Sequence, residues 1–124
     1  MGFDEVAIGW GEVTAKVAPA RGAIVTALRV AGREVLYLDR STFDDGNKNV
    51  RGGIPVLFPY AGKLEGERFV AAGTTMKQHG FGRNMAWKVT RRAPDAVTME
   101  LLADAATRAV YPFEFAAAET VTCL

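Results

Sequence analysis

Two neighbouring stretches decide how this chain folds: Glu12–Val17, EVTAKV, and Gly22–Gly32, GAIVTALRVAG. In the first, Val13, Ala15 and Val17 alternate with Glu12, Thr14 and Lys16. An extended backbone therefore puts the apolar side chains on one face and the polar ones on the other. In the second, Ile24, Leu28 and Val30 share one parity and Gly32 marks a turn. Arg33–Leu38, REVLYL, reads as a third short strand, and the three together predict an antiparallel meander.

Residues 39–53, DRSTFDDGNKNVRGG, change character, being dense in Asp, Asn, Ser and Gly. They read as a long loop, and loops of this length in compact domains are usually functional or disordered. Beyond it, IPVLFPY (54–60) reads as a short strand closed off by Pro55 and Pro59, followed by ERFVAAG (67–73), NMAWKVT (84–90) and AVTMELLA (96–103). The last run, FEFAAAETVTCL (113–124), carries Glu119 on the parity of Phe113, Phe115 and Val121, where it interrupts an apolar face. About eight or nine strands, with turn signals roughly every 8 to 12 residues and no convincing helical pattern, predict an all-β fold. The expectation is an antiparallel β-sandwich forming a single domain over residues 1–124.

The 124 residues suit one domain with a single core. Fifteen basic and fourteen acidic side chains give a net charge of +1, and the cations are scattered, so neither a nucleic-acid footprint nor a polybasic membrane anchor is expected. The lone Cys123 cannot form an internal disulfide. The first ten residues, MGFDEVAIGW, lack the apolar run of a signal peptide, and no stretch approaches the roughly 20 apolar residues needed to cross a bilayer. The expected location is cytoplasmic.

Several motifs fail on inspection. Asp45, Asn47 and Asn49 occupy alternate ligand positions of a calcium loop, but Val50 and Val56 stand where its glycine and bidentate glutamate belong. AGKLEG (61–66) lacks the upstream glycine and the Ser/Thr of a phosphate loop. One histidine and one cysteine make no zinc framework, and the sole serine, Ser41, has no nucleophile-elbow context.

Two motifs survive. NVRGGIPVLFPYAG (49–62) sets Arg51 before two glycines that permit sharp backbone geometry and two prolines that fix the chain. QHGFGRNMAW (78–87) gathers Gln78, His79 and Arg83 within six residues. Arginine offers a planar fork of donors for hydroxyl, carboxylate or phosphate oxygens, and an amide can donate and accept at once, matching a sugar hydroxyl. Such clusters, converging on one sheet beside a long loop, suit a polyhydroxylated or anionic ligand.

Together with AVYPFEFAAAETVTCL (109–124), these motifs in this order and spacing resemble the aldose 1-epimerase (mutarotase) family, above all its glucose-6-phosphate 1-epimerase-like branch. The resemblance runs from about Val13 to Leu124. It implies the N-terminal part of a galactose-mutarotase-like β-supersandwich whose full form is more than twice as long, and a sugar or sugar-phosphate ligand. It also implies a reaction that needs no cofactor: a base takes the anomeric hydroxyl proton, an acid protonates the ring oxygen, and the opened ring recloses as the other anomer. The family assigns that acid–base work to a second histidine and a glutamate beyond the last residue of this chain. Arg51, Gln78, His79 and Arg83 match positions that hold the sugar or its phosphate, and His79 does not match the catalytic histidine. Three readings follow: an epimerase completed by further polypeptide, a non-catalytic carbohydrate-binding half-sandwich, and a self-associating remnant. A homodimer or a complementing C-terminal chain is the expected protein partner.

Overall fold

A computed structural model describes residues 3–69 and 73–124. Its first sheet contains β1 (Val6–Trp10), β2 (Val13–Ala18), β3 (Ile24–Val30) and β4 (Arg33–Glu34), antiparallel in chain order. The predicted meander is present, preceded by a strand that the alternation in EVTAKV did not reach. The turn between β3 and β4 has two residues, Ala31 and Gly32, both at positive φ (50° and 77°), the geometry whose twist matches a hairpin.

Between β2 and β3 the register slips by one residue after Lys16, leaving Thr26 unpaired opposite the break. Its buried hydroxyl donates to the Glu5 carboxylate, which also receives Arg40 at 2.9 Å. Burial pulls the Glu5 carboxyl upward, but the hydrogen bonds from Arg40 and Thr26 and the nearby positive charge outweigh it and leave its pKa below the ordinary value. The bulge thereby fastens the segment ahead of β1 to the loop that follows β4.

The second sheet joins β5 (Arg68–Phe69) and β6 (Thr74–Thr75), and the third joins β7 (Lys88–Ala93), β8 (Ala96–Leu102) and β9 (Ala116–Thr122). Val97, Met99 and Leu101 alternate inward along β8 and share one buried cluster with Ile8, Ala15, Val17 and Val25 of the first sheet. Two antiparallel sheets around a common apolar layer make the expected sandwich. The β7–β8 turn reaches both neighbours, for Gly9 N–H donates to the Pro94 carbonyl and Cys123 N–H to that of Asp95, each at 2.9 Å.

Two short helices interrupt the all-β pattern: α1 (Arg40–Asp44) and α2 (Ala105–Val110). Each begins at an aspartate whose carboxylate accepts a backbone N–H, Asp39 from Ser41 and Asp104 from Thr107. With five and six residues respectively, neither is long enough to show a helical hydrophobic period. The loop expected over 39–53 thus contains α1, and the same Asx-rich composition that suggested a turn supplies the helix cap.

Three predicted strands shrink. REVLYL keeps only Arg33–Glu34 as β4; past it, the Tyr37 carbonyl accepts Gly53 N–H at 2.8 Å and Leu38 bridges Gly52. IPVLFPY forms isolated bridges, Ile54 to Val25 and Phe58 to Gly80, because Pro55 and Pro59 cannot donate to a ladder. NMAWKVT enters β7 only at Lys88; before it, Met85 accepts from Gly22 N–H and Trp87 N–H donates to Pro19, both at 2.9 Å. Within ERFVAAG, Arg68–Phe69 is strand and residues 70–72 lie outside the described residues.

The loop containing α1 is fixed from below by Arg21, which is 5% exposed. Its guanidinium donates to the carbonyls of Phe43 (3.1 Å), Thr42 (3.0 Å), Asp45 (2.8 Å) and Lys48, and lies over the Phe3 ring at 5.2 Å. A helix of one turn leaves its last carbonyls without partners, and here one buried cation takes several of them. Replacing Arg21 with methionine keeps the volume and strands those carbonyls. The expected loss is about 3 kcal/mol in urea unfolding followed by circular dichroism; an unchanged midpoint would contradict this role.

Glu119 does face inward, opposite Met99, and one of its carboxylate oxygens is enclosed without a hydrogen-bond partner among the described residues. Burial pushes its pKa up to about 7. In the window between the ordinary carboxylate value of 4.5 and about 7, the native state holds a proton that the unfolded state has released. The contribution of Glu119 to stability is therefore fully present below 4.5 and is lost as pH rises through that window. Thermal unfolding from pH 5 to 8 should show this decline, and Glu119→Gln should flatten it.

Candidate functional site

Arg51 belongs to the first surviving motif, and its backbone is pinned on both sides. Its N–H donates to Thr42 Oγ1 at 3.0 Å, and its carbonyl accepts Asp39 N–H at 2.9 Å. Gly52 and Gly53 then turn the chain at φ +99° and +68°. A Cβ at Gly52 would stand 2.1 Å from the Tyr37 carbonyl oxygen, so the pair combines the sharp backbone geometry read from the sequence with a close approach that the sequence did not indicate. The Arg51 side chain is exposed, and its charge helps to lower the Asp39 pKa, after the larger effect of the Ser41 hydroxyl hydrogen bond.

The second motif packs onto the end of the first. Phe81 and Gly82 N–H both donate to the Phe58 carbonyl (2.9 and 3.0 Å), His79 N–H donates to Gly62 (2.8 Å), and Tyr60 Oη donates to Lys77 (2.6 Å). Gly80 sits at the tightest point, where a Cβ would lie 2.2 Å from the Phe58 oxygen.

His79 adopts φ +67°, a left-handed conformation uncommon for a residue with a Cβ. Two contacts hold it there, the backbone bond to Gly62 and a 2.7 Å contact from Nδ1 to the Ala61 carbonyl. A carbonyl only accepts, so Nδ1 carries the proton. In the neutral ring Nε2 then keeps a lone pair, suited to accept from a hydroxyl.

Arg83 lies in a single 3₁₀ turn, Gly82–Asn84, anchored where Trp87 Nε1 donates to the Gly82 carbonyl at 2.9 Å. It is half-buried, and its Nε is enclosed with no hydrogen-bond partner among the described residues. It lines a 30 Å³ cavity with Arg21, Asn49, Val50, Pro55 and Asn84, enough room for a water. Arg51 lines a cavity of 430 Å³ with Thr42, Lys48, Asn49 and Val50. Asn49 and Val50 are common to both, and Asn84 Nδ2 donates to Asn49 Oδ1 at 3.2 Å.

The fold thus places Arg51 and Arg83 on two cavities that share Asn49 and Val50. Gln78 and His79 line neither of those cavities; they share the adjoining turn, docked on residues 58–62. A larger cavity of 660 Å³ lies on the polar face of the first sheet, bordered by Lys16, Arg29, Glu34 and Arg40, and contains none of the four. Among the described residues no group of three His, Cys, Asp or Glu stands close enough to hold a metal ion, and no helix is long and apolar enough to cross a membrane.

Two residues near the site escape sequence reasoning. Arg21 sits in PARG, a context no different from that of an exposed arginine. Lys48 is one of several lysines in the chain, set in a polar loop, and only its place beside Arg51 in the 430 Å³ cavity sets it apart.

Comparison with known proteins gives these loops a context. A family model described as aldose 1-epimerase matches residues 5–122. An Escherichia coli K12 protein named "Putative glucose-6-phosphate 1-epimerase" is 31% identical over 118 residues, covering 91% of this chain and 37% of that protein. The crystal structure of Slr1438 from Synechocystis sp. PCC 6803 is 32% identical with a TM-score of 0.90, covering 97% of this chain and 44% of that one. A galactose mutarotase-like protein from Lactobacillus casei is 27% identical with a TM-score of 0.78, over 96% of this chain and 40% of the other. This chain therefore spans well under half the length of the relatives it matches.

Adding one methyl group should undo the docking of the two motifs. Gly80→Ala places a Cβ against the Phe58 carbonyl in a backbone conformation that disfavours it, and should cost about 2 kcal/mol or more in thermal or urea unfolding. A neutral outcome would mean that the 58–62 and 77–82 segments do not pack this way.

Proposed function

The chain belongs to the aldose 1-epimerase family, and from that premise we propose that it forms the sugar-holding side of an anomer-exchanging site, with a hexose 6-phosphate as ligand. The observation that carries this reading is that Arg51 and Arg83 line two cavities that share Asn49 and Val50, Arg51 with an exposed side chain and Arg83 with an Nε that has no hydrogen-bond partner among the described residues. The 430 Å³ cavity beside Arg51 has room for a phosphosugar, whose dianionic phosphate suits a guanidinium fork, and Arg83, whose 30 Å³ cavity has room for a water, reaches the neighbouring hydroxyls through one. Gln78 and His79 hold the sugar from the adjoining turn, His79 accepting through Nε2.

Anomer exchange asks for more than binding. A base must remove the proton from the anomeric hydroxyl while an acid protonates the ring oxygen; the ring opens, the C1–C2 bond rotates, and reclosure reverses the roles. His79 is the only histidine and is committed through Nδ1 to Ala61, so we assign it to binding. The acid and base come from polypeptide beyond these 124 residues, either continuous with it or as a separate chain. This accords with the share of its relatives that the chain spans. Without that polypeptide the chain acts as a carbohydrate-binding half-sandwich.

Calorimetric titration with glucose 6-phosphate and glucose, paired with two-dimensional exchange NMR of their anomers, tests this. The 124-residue chain should bind glucose 6-phosphate more tightly than glucose and leave the anomer exchange rate unchanged. Arg51→Ala and Arg83→Ala should each weaken phosphosugar binding by about tenfold or more. Unchanged binding in both variants would overturn the site, and faster exchange by the chain alone would overturn the assignment of acid and base elsewhere.

A further inference from the structure

Lys48 stands apart from the residues that the two motifs mark. It precedes Arg51 by three residues and lines the same 430 Å³ cavity, a volume within the range of about 300–1,000 Å³ found for small-molecule sites. Its backbone is held at both ends: the N–H donates to the Asp45 carbonyl at 3.0 Å, and its own carbonyl receives the buried Arg21 guanidinium. Its side chain is 62% exposed, and its ammonium lies 3.9 Å from Asp45 Oδ2, beyond hydrogen-bond distance. A fixed backbone with an exposed ammonium on a four-carbon stem is the arrangement by which a lysine reaches a ligand without reorganising the loop.

The charges around the cavity favour an anion. Lys48 and Arg51 line it; the nearby carboxylates are Asp45, which takes a share of the Lys48 charge, and Asp39, whose oxygen accepts from both the amide and the hydroxyl of Ser41. Arginine supplies a directional fork and lysine a compact point charge, a pairing that suits a phosphate better than a neutral hydroxyl.

We propose that Lys48 is a specificity-determining residue of this site: its ammonium, beside the Arg51 guanidinium, engages the phosphate of a phosphorylated sugar and sets the preference for it over the neutral sugar. This rests on the sugar-phosphate reading above and adds to it a residue outside both motifs. Arg21 acts through Lys48, because the carbonyl it grips belongs to the residue that presents the ammonium.

Titration of the wild-type chain, Lys48→Met and Lys48→Arg with glucose 6-phosphate and with glucose tests the proposal. In Lys48→Met the ratio of glucose 6-phosphate to glucose affinity should fall about tenfold. Lys48→Arg should restore most of it, and the wild-type preference should shrink with added salt as screening increases. Because the side chain is exposed, circular dichroism should be the same for all three proteins. If wild type prefers glucose 6-phosphate and Lys48→Met keeps the same ratio, this inference is overturned while the proposed function stands. If wild type binds neither sugar, both are overturned.

Discussion

One buried guanidinium holds the loop that contains α1 and carries Lys48 and Arg51. Arg21 follows β2 in a single 3₁₀ turn, Pro19–Arg21, and crosses to the carbonyls of residues 42, 43, 45 and 48. Without it, the last turn of α1 and the chain after it would bury carbonyls with no donor, which costs more than the net value of any one of the bonds. Burial lowers the Arg21 pKa, yet a guanidinium stays protonated throughout the physiological range, so the clamp does not loosen with pH. From this anchor the geometry propagates outward. Residue 48 is fixed by its carbonyl, residue 51 by Thr42 and Asp39, and the glycine pair that follows presses against Tyr37 and Val25.

A second constraint joins the two motif loops. The Phe58 carbonyl accepts two N–H donors from the far loop, and that geometry leaves no space for a side chain at Gly80. Gly22 makes a similar close approach beneath, where a Cβ would stand 2.2 Å from the Arg83 carbonyl oxygen. Arg83 is therefore located by backbone contacts at both ends of its turn rather than by its own side chain. The Arg83 Nε has no hydrogen-bond partner among the described residues, whereas the Arg21 guanidinium donates to four carbonyls.

The sheet core was legible from alternation alone, because a half-buried strand must alternate: Val13, Ala15 and Val17 pack inward in β2, as do Val97, Met99 and Leu101 in β8. Alternation failed where backbone partners were not other strands. REVLYL and NMAWKVT have strand-like composition, but past Glu34 and before Lys88 their backbone groups bond to Gly53, Pro19 and Gly22, although Val35 N–H still donates to Leu28 of β3. The helices were hidden by their brevity, since one turn shows no period, although Asp39 and Asp104 were available as caps. Glu119 announced itself by breaking an apolar parity, and it does occupy an inward position. Arg51 and Arg83, the arginines of the proposed site, stand in glycine-rich settings that are visible in the sequence. Arg21 could not be singled out, because its contacts reach 21 to 27 residues along the chain, and nothing local sets Lys48 apart from the other lysines.

The central claim is that a sugar phosphate sits against the wall formed by Asn49 and Val50, between two loops held in place from behind. Amide chemical-shift mapping of the ¹⁵N-labelled chain during titration with glucose 6-phosphate addresses it directly. The account predicts the largest saturable shifts at residues 48–53 and 78–84, with β8 and the polar face of the first sheet unmoved. Saturable shifts confined to Lys16, Arg29, Glu34 and Arg40, around the other cavity, would contradict it.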